Sequence, residues 1–228
     1  MKFFGSIFSL ILLVAACTSI NEEQPVSYTL EQLQDNMRNK QGLEVEPKIK
    51  IGELCESFKG QSLKEITKRL TKEDLGLYEA SYGLHYMGNR YLQSGDFRHG
   101  IHFLEVAADE YFNPLSMLKL ARIYYMSAEQ IQASFPNGAL DGFSQDWKKA
   151  YYYINMSLSL TEEITGGRRG HYLIDVVVFN GIGILDELSA HAQQGDFDEE
   201  AARKYVDEHM QPNLNLYKYM YGDDPIAE

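Results

Sequence analysis

Apolar residues recur along most of this chain at the three- and four-residue spacing of helices that bury one face, and clusters of turn residues interrupt them. Thr29 stands three residues before Gln32, a capping-box spacing that predicts a short helix to about Asn39. The stretch that follows carries two patterns. Val45, Pro47, Ile49 and Ile51 alternate as in an extended segment, while Leu54, Cys55 and Phe58 fall at helical spacing. Ser62 with Glu65 opens another helix, and Thr71 with Asp74 predicts a long one to about Gln93. The tail places Tyr217, Tyr219 and Tyr221 on alternate positions and is expected to pack in part over the last hairpin.

The segment "SGDFRHGIHFLEVAA" (94–108) has an opening that returns twice further along the chain. Asp96, Asp146 and Asp196 are each followed by an aromatic residue: Phe97, Trp147 and Phe197. A unit of this length, repeated, predicts a supersecondary block stacked on copies of itself. In the first copy Gly88 and Gly100 lack bulk, so two antiparallel helices can approach where they sit, with Met87, Tyr91 and Leu104 filling the space around them. Gly95 suits the positive φ that ends a helix, and Asp96 suits the cap of the next. Leu120-Ala121, Tyr124, Ala150, Ile154 and Ser157 repeat these roles, with Pro114 at the boundary and an insertion over 127–145. A third copy keeps Gly195-Asp196-Phe197 but has Glu200 at the small-residue position, as a terminal cap would.

The series Leu84, Met87-Gly88, Tyr91, Gly95-Asp96-Phe97, Gly100, Leu104 and Ala107 resembles the tetratricopeptide repeat, well over 84–160 and weakly over 172–210. The long linker and the Asp before the second helix also resemble Sel1-like repeats. The resemblance implies an all-α fold, a short right-handed solenoid of antiparallel helical hairpins with an irregular N-terminal segment. It also implies a concave face that binds proteins.

The chain opens with Lys2, an apolar run from Phe3 to Val14, and then Ala15, Ala16 and Cys17, the parts of a secretory signal. Val14-Ala15-Ala16-Cys17 resembles the bacterial lipobox, which implies lipidation of Cys17, with palmitate among the acyl groups, and a site on the outer membrane facing the periplasm. The expected organisation is a signal peptide over 1–16, a polar leader over 17–28, a helical and irregular segment over 29–70, and the repeat domain over 71–228. Cys55 is then the other cysteine and reads as a small buried hydrophobe.

Composition narrows the function further. Of 228 residues, 44% are hydrophobic and 24% charged, enough for a folded core or a short repeat array. A formal net charge of −12 argues against sequence-independent nucleic-acid binding, which needs surplus Lys and Arg. His99 and His102 share a helix face without a third ligand at a convincing spacing, and His191 follows Glu187 by four as a helix-face pair. "TGGRRGHY" (165–172) lacks a P-loop ending and reads as a helix-connecting loop. No catalytic residue, metal site or cofactor is assigned.

These readings converge on a non-catalytic lipoprotein that meets a protein partner and touches the membrane through its N-terminal lipid alone. By resemblance, the partner is envelope-assembly machinery or an envelope enzyme under regulation. The alternatives are an immunity protein that neutralises a secreted effector such as a phospholipase and, more remotely, a hydrolase. Contact residues are expected at His85, Asn89 and Arg90 on the first hairpin and Arg122 and Tyr125 on the second. Phe135 and Phe143, in the insertion, are expected at the rim.

Overall fold

The computed structural model describes residues 50–71, 75–136, 143–168 and 170–222. Cys17, the 29–39 helix and the extended stretch before residue 50 lie outside them. Every regular element among the described residues is helical. In chain order these are α1 (Ile51–Lys59), α2 (Leu63–Leu70), α3 (Leu77–Ser94), α4 (Phe97–Glu105), α5 (Pro114–Tyr125), α6 (Ala128–Ser134), α7 (Trp147–Thr165), α8 (Phe179–Gln193) and α9 (Glu199–Tyr221). A π-helical turn, Val106–Glu110, extends α4, and a second, Ile174–Val178, leads into α8. Among the described residues, no helix is long and apolar enough to cross a membrane.

Most helix starts follow their local chemistry. The Ser62 hydroxyl and the Glu65 carboxylate satisfy each other's backbone donors at α2, a complete capping box. Asn113 caps α5 ahead of Pro114, and Asp146 caps α7 by accepting from the Lys149 amide at 2.9 Å. Thr71 departs from expectation. Its amide bonds back to the Thr67 carbonyl and its hydroxyl to that of Lys68, so it closes α2, and α3 opens later, behind Gly76.

The α3–α4 contact is set by two glycines. A Cβ on Gly88 would stand 2.8 Å from Leu104 Cγ and 2.9 Å from the Gly100 carbonyl oxygen. One on Gly100 would meet Leu92 at 2.7 Å. The helices therefore touch backbone to backbone. Gly95, at φ 89°, turns the chain between them, and the Asp96 carboxylate accepts from the His99 amide. Tyr91 stacks on Phe103 at 5.3 Å beside this contact.

At the third Asp-aromatic pair the helix cap falls two residues later than the sequence spacing suggests. Asp198, not Asp196, caps α9, by accepting from the Ala201 amide at 2.9 Å. Asp196 instead accepts from His191 Nδ1 at 2.7 Å, and His191 stacks on Trp147 rather than pairing with Glu187. The slip has a packing reason. Counted from the cap, the small-residue position now falls on Ala202, which is 1% exposed, and Glu200 is left in water. A glutamate could not occupy a contact that Gly100 and Ala150 fill with no side chain or a methyl.

The last helix also travels further than the tail pattern suggests. At 23 residues α9 is about 35 Å long. It packs chiefly along α7 and then reaches the start of α3. The Tyr78 and Tyr217 hydroxyls meet at 2.9 Å, the Tyr221 ring lies 4.5 Å from that of Tyr78, and the Tyr221 hydroxyl donates to the Tyr111 carbonyl. Tyr217 and Tyr221 are thus helical neighbours on one face, and Tyr219 points to water, 43% exposed. Removing the hydroxyl with Tyr217→Phe is expected to lower stability by about 1 kcal/mol in urea titration, since the ring contacts remain.

Cys55 is fully buried in α1, among the core residues that include Phe58 and Ile66.

Candidate binding groove

Helices α3, α5 and α8, with parts of α6 and the second π-turn, wall a groove of about 800 Å³. Four of the expected contact residues meet there: His85, Asn89, Arg122 and Tyr125. They converge because His85 and Asn89 are one turn apart on α3, and Arg122 and Tyr125 one turn apart on α5.

The groove floor is hydrogen-bonded rather than open. The Asn89 side-chain amide donates to both His85 Nε2 (2.9 Å) and the His85 carbonyl (3.1 Å). Nε2 is therefore an acceptor, and the ring proton sits on Nδ1, donating to Ser116 Oγ at 3.0 Å. Burial of the ring, together with the nearby Lys119 charge, holds the His85 pKa down to about 3. This histidine is a neutral structural bridge between α3 and α5.

Charge enters the groove from α5. Lys119 and Arg122 lie one turn apart, and among the described residues neither has a carboxylate within ion-pair distance. Burial first, and then the Arg122 guanidinium, lower the Lys119 pKa. Opposite them, on α8, stands Glu187; burial and this carboxylate push the Tyr125 hydroxyl up to about 12. The α8 rim is apolar. Phe179 lines the groove with 80% of its surface exposed, and Ile182, on the following turn, is 51% exposed.

Three expected contact residues lie elsewhere. Arg90 turns away from the groove and ties down the α1–α2 loop, donating to the Lys59 carbonyl at 2.7 Å and the Gln61 carbonyl at 3.1 Å. Arg90→Ala is expected to cost about 1.5 kcal/mol of stability in chemical denaturation, because two loop carbonyls lose a charged donor. Phe135 and Phe143 pack inward. Their rings lie 5.0 and 6.4 Å from Phe97, and Phe143 stacks on Tyr124 at 5.8 Å. Both are half-buried parts of the core edge, since an insertion can fill the gap beside α4 more favourably than it can hold two rings in water.

Sequence reasoning missed Lys119 and Phe179, and read Glu187 as the helix-face partner of His191. Lys119 was findable as the residue one turn before Arg122 on the same face. Phe179 was hidden in an apolar run, where nothing in the local pattern distinguishes a core residue from an exposed one.

The remaining motifs are structural in form. His99 bonds the Asp96 carboxylate at 2.7 Å on the surface, and Gly166, Gly167 and Gly170 take positive φ in the α7–α8 loop. Among the described residues, no group of three or more His, Cys, Asp or Glu side chains is placed to hold a metal ion. No family model, curated protein or solved structure matches this chain.

Proposed function

We propose that the chain is a protein-binding module whose partner inserts an acidic, apolar-anchored segment into the groove between α3, α5 and α8. The observation that carries this reading is Phe179, 80% exposed on the same groove that holds the Lys119 and Arg122 cations. Phe179 and Ile182 together make an exposed apolar patch on α8, and two cations without an acidic partner among the described residues, in a chain of net charge −12, favour an anionic visitor. A carboxylate placed between them relieves their mutual repulsion, while an apolar side chain beside it covers Phe179.

In this reading the scaffold is a short right-handed solenoid of antiparallel helical hairpins of the tetratricopeptide or Sel1-like kind. Its support is the glycine-to-glycine contact of α3 and α4 and the three aspartate caps at Asp96, Asp146 and Asp198. The chain is carried on a lipid at Cys17, at the outer membrane and facing the periplasm, and its partner belongs to envelope machinery. A second reading, an immunity protein against a secreted toxic enzyme, is favoured by α9. That helix runs back to α3 and ties the two ends of the array together, which leaves a bounded surface suited to one partner.

The test is comparative capture from solubilised envelopes of the cells that make the protein. Arg122→Glu with Lys119→Glu should reduce recovery of the specific partner more than tenfold, and Phe179→Ala about fivefold, with melting temperatures nearly unchanged. Equal recovery by all variants would remove the groove from consideration. A recovered toxin establishes the immunity reading, and recovered assembly or cell-wall machinery the other.

A further inference from the structure

A second cleft, of about 620 Å³, opens where the α4 π-turn, the N-terminal half of α7 and α9 meet. It shares no lining residue with the groove. Three tyrosines line it: Tyr152 and Tyr153 from α7, and Tyr205 from α9. Tyr152 and Tyr205 meet edge to face, with centroids 5.4 Å apart, and Asn213 donates to the Tyr152 hydroxyl at 3.0 Å, which fixes one corner.

Three carboxylates line the cleft: Asp146 caps α7, and Glu105 and Asp109 differ in state. Glu105 is satisfied: it accepts from the Tyr124 hydroxyl at 2.7 Å and lies 3.7 Å from Lys149 Nζ. Asp109 accepts from the Tyr153 hydroxyl at 3.1 Å, and no cation among the described residues stands within ion-pair distance of it. Part of Asp109 is open to water, yet the protein atoms around it still raise its pKa to about 6, with Glu105 and Glu110 adding to the rise and Tyr153 and Lys149 opposing it. The carboxylate is held in place with too little positive charge beside it.

The ring faces already show what they attract. Lys148 Nζ stands 4.8 Å from the Tyr205 centroid and Lys149 Nζ 4.6 Å from that of Tyr124. Both are within the distance at which a ring quadrupole holds a cation. Lys148 is exposed and makes no ion pair among the described residues, so its ammonium can be displaced at little cost. Backbone irregularity marks the same place. The π-turn delivers Asp109, and Phe112, at the cleft edge, holds a positive φ of 51° without being glycine.

We propose that this cleft binds an organic cation, a guanidinium or ammonium group, between the Asp109 carboxylate and the Tyr205 face that Lys148 now covers. The group comes from a partner's arginine or lysine side chain or from a free polyamine. A ring-face contact and a carboxylate contact made together suit a planar guanidinium best.

The experiment is a titration of the full chain with N-acetyl-arginine amide, N-acetyl-lysine amide and spermidine in turn, following the Tyr152 and Tyr205 ring resonances. Sodium chloride at equal ionic strength serves as the baseline. Saturable shifts in the millimolar range are expected with the arginine amide. Asp109→Asn, which keeps an acceptor for Tyr153, should weaken them at least fivefold, and Lys148→Met, which clears the Tyr205 face, should tighten them severalfold. Stronger binding of either amide than of spermidine identifies a side-chain ligand, and the reverse a polyamine. Shifts no larger than those from sodium chloride, or an unchanged affinity in Asp109→Asn, overturn the proposal. Loss of the groove function through Lys119 and Arg122 leaves this titration unaffected, so the two sites fail separately.

Discussion

Gly88→Val is expected to destabilise the folded chain by about 3 kcal/mol and to lower its melting temperature by about 10 °C. The first atom of any side chain at this position would lie 2.9 Å from the Gly100 carbonyl oxygen, which is backbone and cannot rotate away. The second obstacle, Leu104, is fully buried and has nowhere to go. Relief requires separating α3 from α4, which opens the core along their whole contact. The sign depends on the neighbour, as Gly183 demonstrates. It also lies inside a helix, but a Cβ there meets nothing within 4 Å. Gly183→Ala should therefore raise stability by about 0.5–1 kcal/mol through helix propensity alone. Urea titration of the two variants side by side checks both; a neutral Gly88→Val would mean that the helices do not meet as described.

Acid should destabilise the protein through His85. Its pKa is about 3 in the folded chain against 6.5 for the free side chain. Below pH 6.5 the unfolded chain takes up a proton that the folded chain refuses, so stability is flat above that pH and falls as pH drops toward 3. At about 1.4 kcal/mol per pH unit, the loss from this group reaches about 3 kcal/mol by pH 4. Protonation would place a hydrogen on Nε2, against the Asn89 amide that now donates to it. Asp109 acts in the opposite sense. Its raised pKa means the folded chain gains a proton before the unfolded one, so its contribution improves as pH falls from about 6 toward 3.8. Comparison with His85→Gln isolates the histidine. The parent should lose about 3 kcal/mol more than the variant between pH 7 and pH 4, and parallel curves would show that His85 is not held neutral.

Much of the candidate groove was legible in the sequence because helical periodicity carries direction. His85 and Asn89 had to share one face of α3, and Arg122 and Tyr125 one face of α5, so a groove between those faces would contain all four. Arg90 was misplaced for the same reason. It follows Asn89 by one residue and so points about 100° around the helix, toward the α1–α2 loop. Phe135 and Phe143 were misplaced because a linker has no periodicity from which to read a face.

What the sequence by itself determined is local. The capping box at Ser62, the Asn113–Pro114 start of α5, the Gly95 turn with its Asp96 cap, and the need for bare backbone at Gly88 and Gly100 all follow from chemistry within a few residues or from steric size. Tertiary structure decided what depends on distant partners. The cap at Asp198 rather than Asp196 puts Ala202 on the buried face and leaves Glu200 in water. The path of α9 was set by Tyr78 and Tyr111, more than a hundred residues earlier. The exposure of Phe179 and the lack, among the described residues, of an acidic partner for Lys119 and Arg122 are properties of packing. Whether a side chain is covered or a charge is paired depends on which distant helix arrives beside it, and no local spacing records that.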